Sequence, residues 1–336
     1  MSADAVVDRA ERGARVGGSY APATQPTIHF IGVTTGGSSI MRVFPAWSEE
    51  LELGAVIQGI DLAIHAPGEQ YLEVVSFIKS DPLSLGALVT THKLDLYKAA
   101  RSLFDVVGPE TEILDEVSSI SKRDGALWGH AMDPMTSGLS LQAIVPDGYW
   151  TATSGEMLIL GAGGSSLALT LHLHRRHARG ADVPQRIVVT NRTEARLAEM
   201  RAIHQALGFG IAIEYHHTPR HEDNDARLET LRPGSMVINA TGLGKDAPGS
   251  PLTDAATFPT DGIAWDFNYR GDLKFLVQAR AQSAARHLSI EDGWLYFIHG
   301  WTRVVAEVFH TSIPTSGPAF DRLCRIAQDA AKGART

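Results

Sequence analysis

The sequence predicts an α/β protein with two domains, the second of which is built on a doubly wound parallel sheet. Short apolar runs alternate with segments of helical periodicity through the first 140 residues, and the same alternation starts again near Gly155. The chain has 336 residues, whereas a domain usually holds about 100–200 residues. Pattern and length therefore both indicate two domains.

In the first block, apolar runs bounded by glycine or polar turn residues predict strands, and apolar residues three and four apart predict helices. The predicted strands are 28–33, 55–62 and 85–90, and the predicted helices are 69–80 and 95–107.

The second block reads as strand, helix and strand in close succession, which implies parallel strands with right-handed crossovers. The predicted strands are 157–160, 186–190, 210–215, 235–240 and 262–267, and the predicted helices are 165–177, 193–207 and a long final helix, 294–310.

These elements lead to a discontinuous domain plan. Residues 1–26, which contain Gly17, Gly18, Pro22 and Pro26 and no apolar segment of signal-peptide type, predict a flexible leader. A substrate-binding domain is expected over 27–138 and 299–336, and a nucleotide-binding domain of Rossmann type over 139–298.

Composition excludes several classes of protein. The formal charge of −8 argues against a general nucleic-acid binder, which would need a basic surface. The longest nearly apolar run, 157–171, is interrupted by glycine and serine and is shorter than the roughly 20 residues of a membrane span. Cys324 is the single cysteine, so no intrachain disulfide or Cys-based zinc site can form. This usage fits a cytoplasmic protein.

Histidines are frequent but do not predict a metal site. Six of them lie in two clusters, namely His172, His174, His177, His216, His217 and His221. Only His174 and His177 are neighbours by helical spacing, and no carboxylate set accompanies them. We expect no bound metal.

A glycine-rich loop, Gly161-Ala162-Gly163-Gly164, follows a predicted strand and opens a predicted helix. The first glycine permits a tight turn, the second lets a pyrophosphate approach the backbone, and Ser166 is small enough for helix–strand packing. The helix N-terminus would then face the anion. The alternative is a tight turn without a ligand.

The residues at the end of the next strand indicate which cofactor is bound. Asn191-Arg192-Thr193 stands where an NAD enzyme places an acidic residue for the ribose 2′-hydroxyl. An arginine there suits a 2′-phosphate, because its planar fork matches the phosphate oxygens. The sequence therefore predicts NADP(H). The alternative is that Asn191 or Thr193 only caps the following helix.

Two residues are candidates for acid–base chemistry. Lys93 follows a predicted strand, and Asp133 ends the segment 127–133. By themselves, a lysine and an aspartate are usually solvated surface charges.

At these residues the chain resembles the shikimate/quinate dehydrogenase family. The resemblance runs from about Ile28 to Phe309 and is most specific in the second half. It covers the glycine loop, Asn191 to Thr193, the Asn239-Ala240-Thr241 segment followed by Gly242, the Asp266-Phe267-Asn268-Tyr269 segment, and the closing Asp292-Gly293.

The resemblance implies roles for particular residues. Lys93 and Asp133 would be the catalytic pair. Substrate contacts would come from Ser38, Thr91, Ser118, Tyr269 and His299. Cofactor contacts would come from Gly161, Ala162, Gly163, Gly164, Asn191, Arg192, Thr193, Thr241, Gly242 and Gly293.

The substrate half departs from the family pattern. The family holds a substrate carboxylate with two serines spaced by one residue, and here Ser38 is followed at that spacing by Ile40. Ala87 takes the place of a substrate asparagine, Thr91 that of a proline, Ser118 that of a second asparagine and His299 that of a glutamine. Because sites built to hydrogen-bond a substrate discriminate strongly, this many changes predict a changed substrate.

The expected activity is hydride transfer between NADP and a secondary alcohol or ketone of a cyclic polyol or hydroxy acid that is not shikimate itself. A homodimer is an expected assembly. Two alternatives stay open: an NADP(H)-binding sensor that has lost turnover, and a dehydrogenase of methylenetetrahydrofolate type, which Asp133 and Tyr269 do not support.

Overall fold

The computed structural model describes residues 15–16, 19–245 and 247–332. The strands are β1 Arg15–Val16, β2 Ser19–Tyr20, β3 Thr27–Gly32, β4 Val56–Asp61, β5 Ser84–Val89, β6 Val106–Val107, β7 Ser119–Arg123, β8 Ala126–His130, β9 Met157–Leu160, β10 Arg186–Asn191, β11 Ala212–His217, β12 Met236–Asn239, β13 Ile263–Asp266 and β14 Ser289–Glu291. The helices are α1 Ile40–Glu50, α2 Gly68–Ser80, α3 Lys93–Ala100, α4 Pro109–Leu114, α5 Asp133–Ile144, α6 Tyr149–Thr153, α7 Gly164–Ala178, α8 Glu194–Ala206, α9 His221–Leu228, α10 Lys274–Arg286, α11 Trp294–Val308 and α12 Gly317–Lys332.

The chain divides into two compact units, Met1–Met132 with Gly300–Thr336, and Asp133–His299. The sequence analysis placed the two domain boundaries after residues 138 and 298. The first of them differs from the boundary in the structure by about one and a half helical turns. The difference arises because α5 begins at Asp133 and packs against α7 of the second unit. That each unit is a folding domain stays a prediction.

The predicted leader, 1–26, lies outside the described residues at 1–14 and 17–18. From Tyr20 onward the chain is packed rather than free, because the buried Tyr20 ring stacks on Phe77 with centroids 5.3 Å apart. The Ala23 amide also donates to the Asp81 carboxylate at 3.1 Å. Residues 20–26 are therefore part of the first unit.

The sheet of the first unit has the order β4-β3-β5-β7-β8-β6. Strand β3 pairs in parallel with β4 and β5, whereas β7 and β8 form an antiparallel hairpin. The hairpin turns at Asp124 and Gly125, both with positive φ. An Asp-Gly pair between apolar segments is a strong hairpin signal that the sequence analysis missed.

Two helices of this unit also differ from expectation. The predicted helix 95–107 begins earlier, at Lys93, and ends at Ala100, because Val106–Val107 joins the sheet beside Trp128 and Gly129. The helix predicted over 294–310 ends at Val308 and is not the last. Helix α12 follows it and packs on α1, where the Trp47 indole donates to the Leu323 carbonyl at 3.0 Å.

The second unit confirms the predicted doubly wound sheet. Its strands are all parallel, in the order β11-β10-β9-β12-β13-β14. The direction of winding reverses between β9 and β12, and ligands bind at the carboxyl ends of strands at such a point. In the described part of the chain, no helix has both the length and the apolar character that a bilayer span requires.

A buried histidine anchors the segment that precedes Lys93. The His92 ring is almost fully buried, bonds the Tyr71 hydroxyl at 3.0 Å, and lies against the backbone of Gly32 and Leu62. Burial lowers the pKa of His92. The neutral ring therefore ties the end of β5 to the ends of β3 and β4.

A buried carboxylate organises the loops after β12 and β13. Asp266 accepts hydrogen bonds from the Asn239 side chain at 3.0 Å and from the Asn268 backbone at 2.8 Å. The Asn239 carbonyl oxygen in turn accepts from the Thr241 amide and hydroxyl at 3.1 and 2.6 Å. Burial raises the pKa of Asp266 to about 6.

Replacing Tyr71 by phenylalanine should lower the free energy of unfolding by about 1 kcal/mol, because the buried His92 ring would lose a hydrogen-bond partner. Tyr97→Phe is the matched control, since the buried Tyr97 hydroxyl makes no hydrogen bond in the described part of the chain. That change should be neutral or stabilising. Urea unfolding at pH 7 measures both, and equal effects would contradict the anchoring role.

Asp266 should make the unfolding free energy depend on pH. Its carboxyl binds a proton more tightly when folded than at its ordinary pKa of 3.8. The resulting stabilisation is therefore complete below that ordinary value and is lost as pH rises through about 6. Relative to Asp266→Asn, the protein should lose about 2 kcal/mol between pH 4 and pH 7. The exposed Asp147→Asn variant should keep the parent's profile, and a pH-independent difference for Asp266→Asn would refute the assignment.

Candidate active site

The glycine loop has the conformation that a close anion needs. Gly161 has a φ of +109°, and a Cβ there would lie 3.0 Å from the Ala240 carbonyl oxygen. Gly163 is the N-cap of α7, and a Cβ there would meet nothing within 4 Å. The buried Ser166 hydroxyl donates to the Gly161 carbonyl at 2.6 Å, which holds the turn against the helix. The free amides of the first turn of α7 suit a phosphate.

Asn191 connects the second strand of this edge to the glycine loop. Its side-chain oxygen accepts from the Ala162 amide at 3.2 Å, and its side-chain nitrogen donates to the Thr193 carbonyl at 3.0 Å. Its own carbonyl accepts from the Thr218 amide at 2.9 Å. Asn191 therefore sets the shape of the loop. Thr193 is the N-cap of α8 but makes no side-chain capping bond, so simple capping does not account for it.

Arg192 is exposed at this edge, and its guanidinium makes no hydrogen bond or ion pair with the described residues. The neighbouring Arg196 pairs only with Glu199, at 2.9 Å on the surface. A fork of donors without an internal partner is therefore available to an external phosphate.

A cavity of about 580 Å³ lies over these features, within the second unit. It is lined by the glycine loop, by 190–193 and by the segment Ala240 to Leu243. The Thr241 amide and hydroxyl both donate to Asn239, and the Thr241 carbonyl accepts from the Asn268 side chain at 3.1 Å, so these bonds fix the shape of this side of the cavity. Such a volume suits a ligand of cofactor size.

Several residues that line the cavity were not predicted as cofactor contacts from the sequence, among them Arg196, Thr218, Pro219, His221 and Asn224. Four of them follow the carboxyl end of β11. Because the carboxyl ends of parallel strands meet at one edge, the strand predicted over 210–215 carried the necessary signal.

The unpaired polar groups that line the cavity fit a dinucleotide. Thr218 and Asn224 are 4% and 7% exposed, and the Thr218 hydroxyl and the Asn224 side-chain oxygen have no hydrogen-bond partner among the described residues. Buried polar atoms of this kind are costly unless something pairs with them. Together with the open cradle at Gly163 and the unpaired Arg192, they match a ligand that has both phosphate and polar groups.

The other cofactor candidate, Gly293, is required by packing. A Cβ there would lie 2.1 Å from the Phe267 carbonyl oxygen, and its amide donates to the Asn268 carbonyl at 3.0 Å. Gly293 thus lets α11 start close to the loop after β13. Its contact with a cofactor stays a prediction.

In the first unit, Lys93, Thr91 and Ser38 all follow carboxyl ends of parallel strands. Lys93 is half-buried as the first residue of α3, Thr91 is exposed, and Ser38 is buried ahead of α1. The Thr35 amide and hydroxyl, on the loop of Ser38, donate to the Asp61 carboxylate at 2.8 and 2.6 Å. The sequence analysis did not single out Asp61, Thr35 or His92.

Ser118 is buried, and its hydroxyl is already engaged. It donates to the His130 carbonyl at 3.3 Å and accepts from the Met132 amide at 2.7 Å. A contact with substrate would have to replace one of these bonds. Within the first unit, Ser118 therefore holds the segment that leads to Asp133.

Asp133, Tyr269 and His299 belong to the second unit. Asp133 begins α5. The half-buried Tyr269 ring packs against Trp294 and Phe297, with centroids 5.5 and 4.7 Å away, so it is not a core tyrosine. His299 lies buried in α11. Among the described residues, no group of His, Cys, Asp or Glu is arranged to hold a metal ion.

No family model matches the chain. Two curated proteins named shikimate dehydrogenase (NADP(+)) are similar to it. The one from Thermus thermophilus is 29% identical over 190 residues, which is 56% of this chain and 61% of that relative. The one from Methylocella silvestris is 29% identical over 210 residues, or 62% and 66% of the two lengths. The chain thus spans less than two thirds of the length of each.

Solved structures show the same fold. Shikimate dehydrogenase from Aquifex aeolicus superposes with a TM-score of 0.69 at 17% identity, covering 93% of this chain and 99% of that one. The ligand-free 5-ketofructose reductase of a Gluconobacter species has a TM-score of 0.66 at 15% identity, with 91% and 98% coverage. Shikimate dehydrogenase from Thermus thermophilus, in complex with NADP(H) and shikimate, has a TM-score of 0.62 at 22% identity, with 90% and 99% coverage.

The solved structures cover 90% or more of this chain, whereas the two curated relatives match 56% and 62% of it. Over half or more of its length in sequence, and over nearly all of it in fold, the chain is similar to shikimate dehydrogenases.

Proposed function

We propose that the chain is an NADP(H)-dependent oxidoreductase that transfers a hydride between NADP and a secondary alcohol or ketone of a shikimate-like cyclic polyol. The observation that carries the proposal is the unpaired Arg192 guanidinium beside the glycine loop, at the end of a strand that has no acidic residue. An arginine at that position is suited to a ribose 2′-phosphate.

The bound cofactor supplies or accepts the hydride. Gly161 to Gly164 and the start of α7 would hold the pyrophosphate, and Asn191 to Thr193 the phosphorylated ribose. Thr241 and Gly242, which line the same cavity, would contact the same ligand. The complexes with NADP(H) named among the solved relatives support this assignment.

The proposed oxidation removes one hydride and one proton from the alcohol. In oxidation the alcohol carbon loses a hydride to the cofactor, and its hydroxyl loses a proton to Lys93. Reduction reverses both transfers. Asp133 would hydrogen-bond the reacting hydroxyl and orient the ammonium. The resemblance supports both roles, and a pair of this kind contributes about 10²–10⁴-fold in rate.

The substrate proposal is a cyclic polyol other than shikimate, with Ser38, Thr91, Tyr269 and His299 as contacts. Two positions where the family has polar side chains carry Ile40 and Ala87, and both are fully buried. They can offer no hydrogen bond to a ligand. The 5-ketofructose reductase among the structural neighbours is named for a substrate other than shikimate.

Arg192→Gln should weaken NADPH binding about 10- to 100-fold, because a charge-assisted bond to the 2′-phosphate is lost. Binding of NADH, which lacks that phosphate, should change little. Arg280→Gln is the matched control, since Arg280 is an exposed arginine of α10. Fluorescence titration measures the dissociation constants of both nucleotides for the wild type and the two variants. An equal loss for both nucleotides would argue against a 2′-phosphate site.

Lys93→Ala should lower kcat by about 10²–10⁴-fold while the dissociation constant for NADPH stays unchanged. Lys98→Ala, at an exposed position of the same helix, should keep kcat. A panel of cyclitols, quinate and shikimate, assayed in both directions, provides the activity. Near-normal turnover in Lys93→Ala would remove Lys93 from the chemistry. Tight NADPH binding without turnover across the whole panel would favour the sensor instead.

A further inference from the structure

The loops after β3, β4 and β5 lie at one edge of the first unit's sheet, because β3 pairs in parallel with both neighbours. These loops, 33–39, 62–67 and 90–92, contain no lysine or arginine. They are instead rich in hydroxyls, carried by Thr34, Thr35, Ser38, Ser39, Thr90 and Thr91.

Few charges flank these hydroxyls. Asp61 ends β4, and Lys93 begins α3. His65 is paired with Asp95 at 2.9 Å on the surface. Arg42, exposed in the first turn of α1, is the other cation close in sequence. The loops themselves therefore present hydroxyls, and the carboxylate of Asp61 and the ammonium of Lys93 flank them.

Asp61 holds the loop of Ser38 with one carboxylate oxygen, and its second oxygen can still accept a hydrogen bond. Both bonds from Thr35 end on the same oxygen, Oδ1. The exposed side chain leaves Oδ2 without a hydrogen-bond partner among the described residues. A free carboxylate oxygen accepts hydrogen bonds from hydroxyl groups and repels another carboxylate.

The packing of His92 places this acceptor in the neighbourhood of Lys93. The His92 ring lies against the backbone of Gly32 and Leu62, and the Leu62 amide donates to the Gly32 carbonyl at 2.8 Å. Asp61 directly precedes Leu62, and Lys93 directly follows His92. The edge thus combines an ammonium, a carboxylate and a set of hydroxyls.

We infer that the substrate of this site is uncharged: a polyhydroxylated compound or its ketone, without a carboxylate, whose hydroxyls are recognised by Asp61. This inference rests on the proposed function and narrows its substrate. Hydroxyls such as that of Ser38 can bind a carboxylate as well as a polyol, but here they lie on a loop that is bonded to the Asp61 carboxylate. That charge repels a second carboxylate, whereas its free oxygen can accept a hydrogen bond from a polyol hydroxyl.

A pair of probes that differ in charge tests the inference. Shikimate carries a carboxylate, and its methyl ester is neutral. The full chain with NADP⁺ should show a higher kcat/KM for the ester than for the acid. Asp61→Asn keeps an oxygen for the Thr35 bonds and removes the charge, so it should shift the ester-to-acid ratio of kcat/KM toward the acid by about fivefold. It should also lower kcat/KM for the preferred neutral polyol of the panel by about tenfold.

Glu69→Gln, which removes an exposed negative charge from the first turn of α2, is the matched control and should leave the ratio unchanged. A wild-type preference for shikimate over its ester would overturn the inference, and so would an unchanged ratio in Asp61→Asn. A preference for the acid that disappears in Arg42→Gln would show that Arg42 binds a substrate carboxylate instead.

Failure of the proposed function can be told apart from failure of this inference. Turnover of shikimate or quinate in preference to neutral polyols would leave the dehydrogenase standing and reject the uncharged substrate. If no probe is turned over although NADPH binds, the dehydrogenase fails. Calorimetric titration of shikimate and its methyl ester into the NADPH complex, for wild type and Asp61→Asn, then decides the charge preference directly.

Discussion

Parallel pairing of strands is the constraint on which both candidate sites depend. In the second unit it brings the glycine loop, Arg192 and the residues after β11 to one edge. In the first unit the pairing of β3 with β4 and β5 does the same for Ser38, Asp61 and Lys93. Each side chain follows a different strand, so neighbours in space are far apart in sequence. Loops that have no regular secondary structure are thus brought together at one edge of the sheet.

Loops at a strand edge need internal bonds to keep their shape, and this chain supplies them with buried polar side chains. The half-buried Asn191 bonds the glycine loop, Asp266 bonds the turns after β12 and β13, and the His92 ring ties the end of β5 to neighbouring segments. Because a buried polar group costs free energy unless it is paired, each group favours one arrangement of its loop. Two of the buried atoms that have no hydrogen-bond partner among the described residues, the Thr218 hydroxyl and the Asn224 side-chain oxygen, belong to residues that line the cavity, where a ligand can bond them.

Where periodicity predicted a strand or a helix, the bounds agree with the structure within two residues in all but one case, since burial of one face demands the pattern. Seven helices of the described part of the chain were not predicted, namely α1, α4, α5, α6, α9, α10 and α12. The errors have physical causes. The Asp124-Gly125 turn was overlooked, so the hairpin it closes was missing. The helix through Val107 was extended too far, because the pairing of Val106–Val107 with β8 is a tertiary contact that no local pattern reveals. Among the site residues, Arg192 followed from a motif, whereas Asp61 and Thr218 carry no motif and became visible only beside their neighbours.

The sequence by itself determined the α/β class, the doubly wound order of the second sheet, the glycine loop and the resemblance to the shikimate/quinate dehydrogenase family. All of these depend on local pattern or on motifs of adjacent residues. The tertiary structure alone decided that the Ser118 hydroxyl is hydrogen-bonded to the backbone and that Asp61 bonds the loop of Ser38. It also decided that Ile40 and Ala87 are buried and offer no hydrogen bond to a ligand. Hydrogen-bond partners and burial depend on chain segments brought together by folding, and a linear sequence does not record which groups those will be.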